Sequence, residues 1–544
     1  MNADRSPIPV TADLVAVGGG IAALSAALEA RRLGLSVVLA CKGKAGRSGN
    51  SMVAAGNFSL RRRQRRDATF AADIREGGRG ICDPTLVERF AAESASAAGF
   101  LESAGVRLCR RGEHLAWKRI PGHSLPRAVS AEADAYPRTV AGLSITEPLR
   151  AAAAAAGVCI LDDTPVIDLL IRDGAVGGVA VAPAGAAPGT LRTGNVVLAT
   201  GGYAGLFAPS SNTSDTTGDG LALAYRAGAS LRDLEFVQFH PLMALHPIRG
   251  ILPTTLFDDG AVVRNRLGER FLLRETGLED RETPRDLMSR AIVEEVREGR
   301  GVHGGVLLDL SEVPEEVGGA QFGRLWQALH RRGCDPAREP VVVGVAAHFS
   351  MGGLWIDATC TTDIVGLYAA GEVTGGLHGA NRLGGNALTE AVFMGRVAAH
   401  SAAQAARSRP STLPAPRTPP ILDPAGGRNV RRQLGQILWR CAGVTRSATG
   451  LQNGLAGIGE LATRGGVTSR GAGTRAWSEA EGAIAVARLL VEAAARREES
   501  RGAHARLDFP EPRERWRGSL RVRRCPGEPG ATFTFVPAPD AYDA

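Results

Sequence analysis

The chain has 544 residues, with 64 Lys+Arg against 56 Asp+Glu, a formal net charge of +8, 44% hydrophobic and 22% charged residues. This is an ordinary globular composition, and at roughly 150 residues per domain it predicts three or four folding units, which excludes a single small binding module. Eight cysteines (Cys41, Cys82, Cys109, Cys159, Cys334, Cys360, Cys441, Cys525) are scattered without a C-x-x-C pair, which argues against a zinc ribbon, an iron–sulfur cluster or a disulfide framework. A reducing cytoplasm and no metal site are expected.

Met1 to Thr11 has no apolar core, so neither a signal nor a transit peptide is expected. Leu14-Val15-Ala16-Val17, Gly18-Gly19-Gly20, Ile21 to Leu33 and Ser36 to Leu39 then read as strand, tight turn, helix and strand, a βαβ opening. The basic run Arg61 to Arg66 has no interleaved aromatics and reads as a solvated loop; nucleic acid is not an expected partner. Ala151 to Leu161 is the most continuously apolar stretch, about half of the ~20 residues a spanning helix needs, so no transmembrane segment is expected. Asn195 to Thr200 and Gly366 to Ala370 are further strands that run into glycine.

Between 234 and 343 the pattern changes to short strands and an amphipathic helix, Arg285 to Arg297, predicting an inserted capping domain. Six prolines in the 15 residues from Pro410 to Pro424 predict an extended linker. Val430 to Val444, Gly450 to Leu461 and Ser478 to Arg497 have helical periodicity, and 516–544 is a Pro- and Arg-rich tail with little periodicity. The expected architecture is α/β: a two-dinucleotide-binding-type domain from 1–233 and 344–409, an α+β cap at 234–343, a linker at 410–427, a helical domain at 428–515 and a tail.

Gly18-Gly19-Gly20-Ile21-Ala22-Ala23 supplies a dinucleotide fingerprint: glycine lets the backbone approach a pyrophosphate, and the following helix offers unpaired N–H groups. The acidic residue that usually ends the second strand and holds a ribose is replaced by Cys41-Lys42, which disfavours an NAD enzyme and leaves flavin enzymes open. Further segments accompany it: Arg47-Ser48-Gly49-Asn50-Ser51, Thr217-Gly218-Asp219-Gly220, Glu235-Phe236-Val237-Gln238-Phe239-His240-Pro241, Thr283-Pro284-Arg285-Asp286, His348-Phe349-Ser350-Met351-Gly352-Gly353, and Gly371-Glu372 through His378-Gly379-Ala380-Asn381-Arg382-Leu383 to Asn386-Ala387-Leu388. In this order they resemble the flavoprotein family of fumarate reductase, succinate dehydrogenase and L-aspartate oxidase, over about residues 12 to 515.

The resemblance implies an FAD held by Gly18, Gly20, Ala23, Lys42, Ser48, Ser51, Asp219, Glu372, Ala387 and Leu388. It implies a C4 dicarboxylate bound by His240, His348 and Arg382, with Arg285 delivering a proton to one carbon as hydride reaches the other. The chemistry agrees, since two carboxylates need donors at both ends and arginine can grip one bidentately.

Three positions depart from the family. Members read T-E-x-x-R shortly before a G-A pair; anchoring on Gly260-Ala261 puts Pro253, Thr254 and Phe257 there, and a one-residue slip gives Thr254, Thr255 and Asp258. Either way the Glu and Arg that feed the catalytic arginine are absent, leaving Thr254 to offer a hydroxyl and Asp258, His246 or Arg249 as alternative routes, or a substrate with an extra group against Phe257. The covalent-flavin histidine of the membrane complexes falls at Asn50, so the FAD is expected to be noncovalent, and the Gly49-Asn50-Ser51 loop resembles the branch that includes tricarballylate dehydrogenase. Where L-aspartate oxidases place a glutamate before Gly-His-Ser, Ile120 precedes Gly122-His123-Ser124. The reading is an FAD oxidoreductase acting on a di- or tricarboxylate and its unsaturated form; the alternatives are an L-aspartate oxidase-like enzyme making imine and hydrogen peroxide, or an electron-transfer subunit with a protein partner.

Overall fold

The computed structural model describes residues 10–62, 67, 69–132, 141–405, 413–416, 424–464, 474–524 and 530–539. Residues 63–66 of the basic run and most of the proline-rich linker lie outside the described residues.

A five-stranded parallel sheet carries the first unit, in the order Leu367–Ala369, Val196–Leu198, Leu14–Val17, Val37–Ala40, Cys159–Leu161. Its central strands are buried throughout, as parallel strands covered on both faces must be, which is why they read as unbroken apolar runs. The helices Ile21–Arg32 and Asn386–Gln404 pack together beside it, both alanine-rich and small enough at Gly395 that an added Cβ would meet the Ala22 carbonyl at 2.5 Å. All three expected strand-to-glycine transitions are present, and the strands lie side by side with their C-terminal ends together, the edge where ligands bind in such sheets.

Between and beyond these strands an antiparallel sheet is ordered Gly250–Ile251, Val237–His246, Val341–Ser350, Val306–Asp309, Val262–Arg264. The last long strand of this sheet, Val341–Ser350, runs unbroken across the position expected to divide the cap from the resumed FAD domain. The amphipathic helix Arg285–Arg297 forms with the bounds the sequence predicts.

Three helices, Pro424–Ala442, Ala448–Arg464 and Thr474–Arg496, follow. The tail differs from its expected irregularity. Gly518–Arg524 and Ala531–Pro537 form a hairpin that extends a sheet through Leu231–Arg232 to Gly353–Leu354. Leu520 and Val522 are buried between arginines, a period-2 pattern that the arginine content concealed. Beside it, fully buried Arg497 bonds Glu235 at 2.5 Å, Glu499 at 3.1 Å and the carbonyls of Trp516 and Gly518, tying the chain's end to the start of the Gln238–His240 strand. No helix among the described residues is long and apolar enough to cross a membrane.

Candidate active site

Strand register brings the two histidines together. Val237–His246 pairs antiparallel with Val341–Ser350, and the pairing steps from Gln238↔Phe349 to Phe239↔Ala347, leaving His348 as the extra residue of a bulge. Such a bulge re-aims a side chain, and the His348 ring meets that of His240 edge to face, centroids 5.0 Å apart. A second irregularity follows at Pro241, which has no N–H to donate to the ladder. His240 Nδ1 accepts the Leu242 backbone N–H at 3.2 Å.

Arg382 and Arg285 flank this pair. Arg382 donates to Gln238 Oε1 at 3.0 Å and lies over the Phe349 ring at 4.4 Å, while Gln238 Nε2 donates to Asn381 Oδ1 at 2.7 Å and to the Arg382 carbonyl at 2.8 Å. Arg285 opens its helix, where the macrodipole favours an anion rather than a cation. Arg285 has no hydrogen bond or ion pair among the described residues. Burial, then the Arg382 guanidinium, brings Arg285 down to about 9. Burial brings Arg382 down to about 10 against the pull of Glu372. Burial and the two guanidiniums hold both histidines well below their usual range, so both are neutral near pH 7.

Glu372 sits in the short turn Gly371–Val373 and accepts the Ser350 backbone N–H at 3.1 Å and its hydroxyl at 3.2 Å. Burial pushes it up to about 7 despite those bonds and the Arg382 charge.

The glycine loop satisfies a demanding geometry. Gly18 has φ +130°, and a Cβ there would lie 2.2 Å from the Ala199 carbonyl; one at Gly19 would lie 2.4 Å from Cys41 Sγ. The helix behind it, containing Ala23, has no acidic residue in its first turn, and Ser51 Oγ accepts the Ile21 N–H at 3.1 Å, beside Gly20. Lys42 Nζ donates to Thr217 Oγ1 at 2.7 Å and to Asp219 at 2.5 Å, and meets Glu479 at 3.3 Å. Burial raises the Asp219 carboxyl, but Lys42 and Thr217 outweigh it and its pKa falls below the ordinary value. Ser48 Oγ donates to the Lys44 carbonyl at 2.8 Å. Ala387 and Leu388 lie in the first turn of the helix that begins at Asn386. Thr200 Oγ1 and both amide atoms of Asn386 are buried without a hydrogen-bond partner among the described residues. Orphaned polar atoms at the strand ends and helix start, with a cradle any side chain would fill, fit a dinucleotide.

Thr254 begins a short turn, Thr254–Asp259, in which Leu256 and Phe257 are buried. Asp258 is exposed, between the charges of Arg119 and Arg281. His246 and Arg249 are also exposed, and His246 stands six strand residues, about 20 Å, beyond His240. None of the three alternative routes is brought to Arg285. Ile120 is buried and would meet a Cβ at Gly384 at 2.5 Å, beside the Asn386 turn. Asn50 holds the loop 212–216, donating to Asn212 Oδ1 at 2.7 Å and accepting the Thr213 N–H at 3.1 Å. Ser211, Asn212 and Glu479 carried no recognisable signal in the sequence, because their contacts span from 136 to 437 positions along the chain.

Residues 13–388 match the family described as FAD binding domain, and 431–523 the one described as fumarate reductase flavoprotein C-term. The chain is 33% identical to a fumarate reductase (CoM/CoB) subunit of Methanothermobacter marburgensis, over 94% of this chain and 97% of that protein. It is 34% identical to an L-aspartate oxidase of Streptomyces coelicolor, over 97% and 95%. A solved E. coli quinol fumarate reductase FrdA, 26% identical, superposes with a TM-score of 0.86 over 97% of each chain. With the glycine cradle and the helical C-terminal unit both matched, the chain belongs to the FAD-dependent oxidoreductase family of the fumarate reductase flavoproteins and L-aspartate oxidases.

Proposed function

We propose that the protein interconverts a C4-dicarboxylate-like acid and its unsaturated form, as a fumarate reductase does. The observation that carries this reading is the convergence of Arg285 and Arg382 on two neutral histidines, with no carboxylate bonded to Arg285 among the described residues. Arg285, with no carboxylate bonded to it, beside Arg382, which feels Glu372 and Glu390 only at a distance, leaves a net positive site that calls for a dianion.

Gly18, Gly20, Ala23, Lys42, Ser48, Ser51, Asp219, Glu372, Ala387 and Leu388 hold the FAD, noncovalently because Asn50 offers no nucleophilic ring. FAD supplies the hydride chemistry. Arg382, His240 and His348 bind the carboxylates, and Thr254 offers a hydroxyl at the mouth of the cap. Arg285, softened as an acid by burial, gives its proton to the substrate carbon. Leu256 and Phe257 are buried at the positions where the family resemblance places a charged relay, so the proton that returns to Arg285 comes from solvent when the site opens to release product, and a substrate with an extra apolar group fits against Phe257. A protein electron carrier and a cytoplasmic location complete the reading.

The L-aspartate oxidase relative is as similar as the fumarate reductase one, but Ile120 puts a branched alkyl group beside the flavin-binding turn, where an ammonium would need a counter-charge. The test is anaerobic: reduce the bound flavin with dithionite, remove the excess, add fumarate and follow reoxidation by absorbance. Rapid reoxidation is expected. Its absence, with hydrogen peroxide formed from aspartate in air, overturns the reading in favour of the oxidase.

A further inference from the structure

His240 and His348 face the same ligand, yet their outer nitrogens are set in different ways. His240 Nδ1 accepts a backbone N–H, from Leu242 at 3.2 Å, so its proton must sit on Nε2. No backbone donor among the described residues does this for His348. Its Nδ1 lies 2.8 Å from Ser211 Oγ, in the loop that leads to Thr217 and Asp219.

A hydroxyl has one proton to give, and Ser211 has two acceptors within reach: His348 Nδ1 and the Ala347 carbonyl at 3.1 Å. That carbonyl already receives the Ser211 backbone N–H at 2.9 Å. His348 Nδ1 has the shorter contact and no other donor among the described residues. Asn212 fixes the same strand position, its amide donating to the His348 carbonyl at 2.8 Å while it accepts from Asn50. The loop therefore grips His348 at both ring and backbone.

We propose that Ser211 is a positioning residue that donates to His348 Nδ1 and so fixes that ring in the Nε2–H form. Both imidazoles then present an N–H to the bound diacid, a point that rests on the function proposed above. The opposite tautomer would turn a lone pair toward the anion, and a neutral ring has no second proton to compensate.

The test uses the full-length FAD-loaded protein carrying ¹⁵N-labelled histidine, with the His348 signals assigned by their loss in His348→Gln. The expected spectrum shows unprotonated Nδ1 and protonated Nε2 in the parent protein, a mixed or inverted tautomer in Ser211→Ala, and restoration in Ser211→Thr. Malonate, titrated through its perturbation of the flavin absorbance, is expected to bind about tenfold more weakly to Ser211→Ala, the worth of one hydrogen bond to a charged group. It should bind within about twofold of the parent to Ser211→Thr, because that residue keeps the hydroxyl. In a His348→Gln background, Ser211→Ala should change malonate binding no further. A parent His348 protonated on Nδ1 overturns the proposal, as does a Ser211→Ala effect that persists undiminished without His348. If the tautomer depends on Ser211 while the parent protein binds no malonate, the positioning role stands and the diacid reading falls.

Discussion

Raising the pH should stop proton delivery before it stops binding. Arg285 titrates near 9, brought down by burial and then by Arg382, and Arg382 titrates near 10. In both cases the protonated form is the useful one, so activity is full at neutral pH and is lost as pH rises. A group with a pKa of 9 is about nine-tenths protonated at pH 8 and about one-tenth at pH 10, so kcat/KM should fall about tenfold between them. Above pH 10 the loss of the Arg382 charge adds a rise in KM. The two guanidiniums repel each other, so the steps belong to the pair. A bound dianion favours the charged form of both, which moves the step in kcat to higher pH than the step in kcat/KM. The assay is stopped-flow reoxidation of the chemically reduced enzyme by fumarate at pH 7 to 10.5. Arg285→Lys, which keeps a charge but loses the planar fork, should lower the rate by roughly 10²- to 10³-fold at pH 7, as removal of a preorganised donor does. A parent kcat/KM that stays level through pH 10 would refute the lowered titration of Arg285 on which this reasoning rests.

Other perturbations separate cofactor binding from folding. Gly18→Ala drives a Cβ to within 2.2 Å of a backbone carbonyl at a φ of +130°, and should yield protein purified with little flavin, read from the ratio of flavin to protein absorbance. Lys42→Met removes the ammonium between Asp219 and Glu479. It leaves two carboxylates facing each other and should weaken FAD retention on ultrafiltration by at least about tenfold, with Lys42→Arg recovering part of it. Arg497→Met leaves Glu235 buried without its ion partner, while Glu499 keeps Arg501, costing about 3–5 kcal/mol; calorimetry should show a Tm lower by about 3–5 °C if the chain unfolds as one unit.

Much of this was legible from residue order. The βαβ opening, the three strand-to-glycine transitions and the helix Arg285–Arg297 follow from local apolar periodicity, which the parallel sheet preserves as unbroken buried runs. His240, His348 and Arg382 were identified from their motifs, but not how they meet: the bulge at His348 is a property of pairing between two strands about a hundred residues apart. The C-terminal hairpin was hidden because its alternating partners are arginines whose stems pack and whose heads remain wet. Ser211 and Glu479 could not be read at all, since a serine or glutamate in a polar stretch is ordinary until a distant partner gives it a role. His504 is buried against Arg446 and the Arg497 carbonyl and lies in the structural charge cluster.

The ion pair between Lys42 and Glu479 joins the end of the second strand of the chain to its last long helix. During synthesis the ribosome releases Lys42 long before either carboxylate that braces it, so the nascent βαβ unit carries that ammonium without its two ion partners. The same helix brings Arg475, whose guanidinium donates to the Lys42 carbonyl at 2.6 Å. The loop after the second strand is therefore fastened at both its side chain and its backbone only once that last helix has docked.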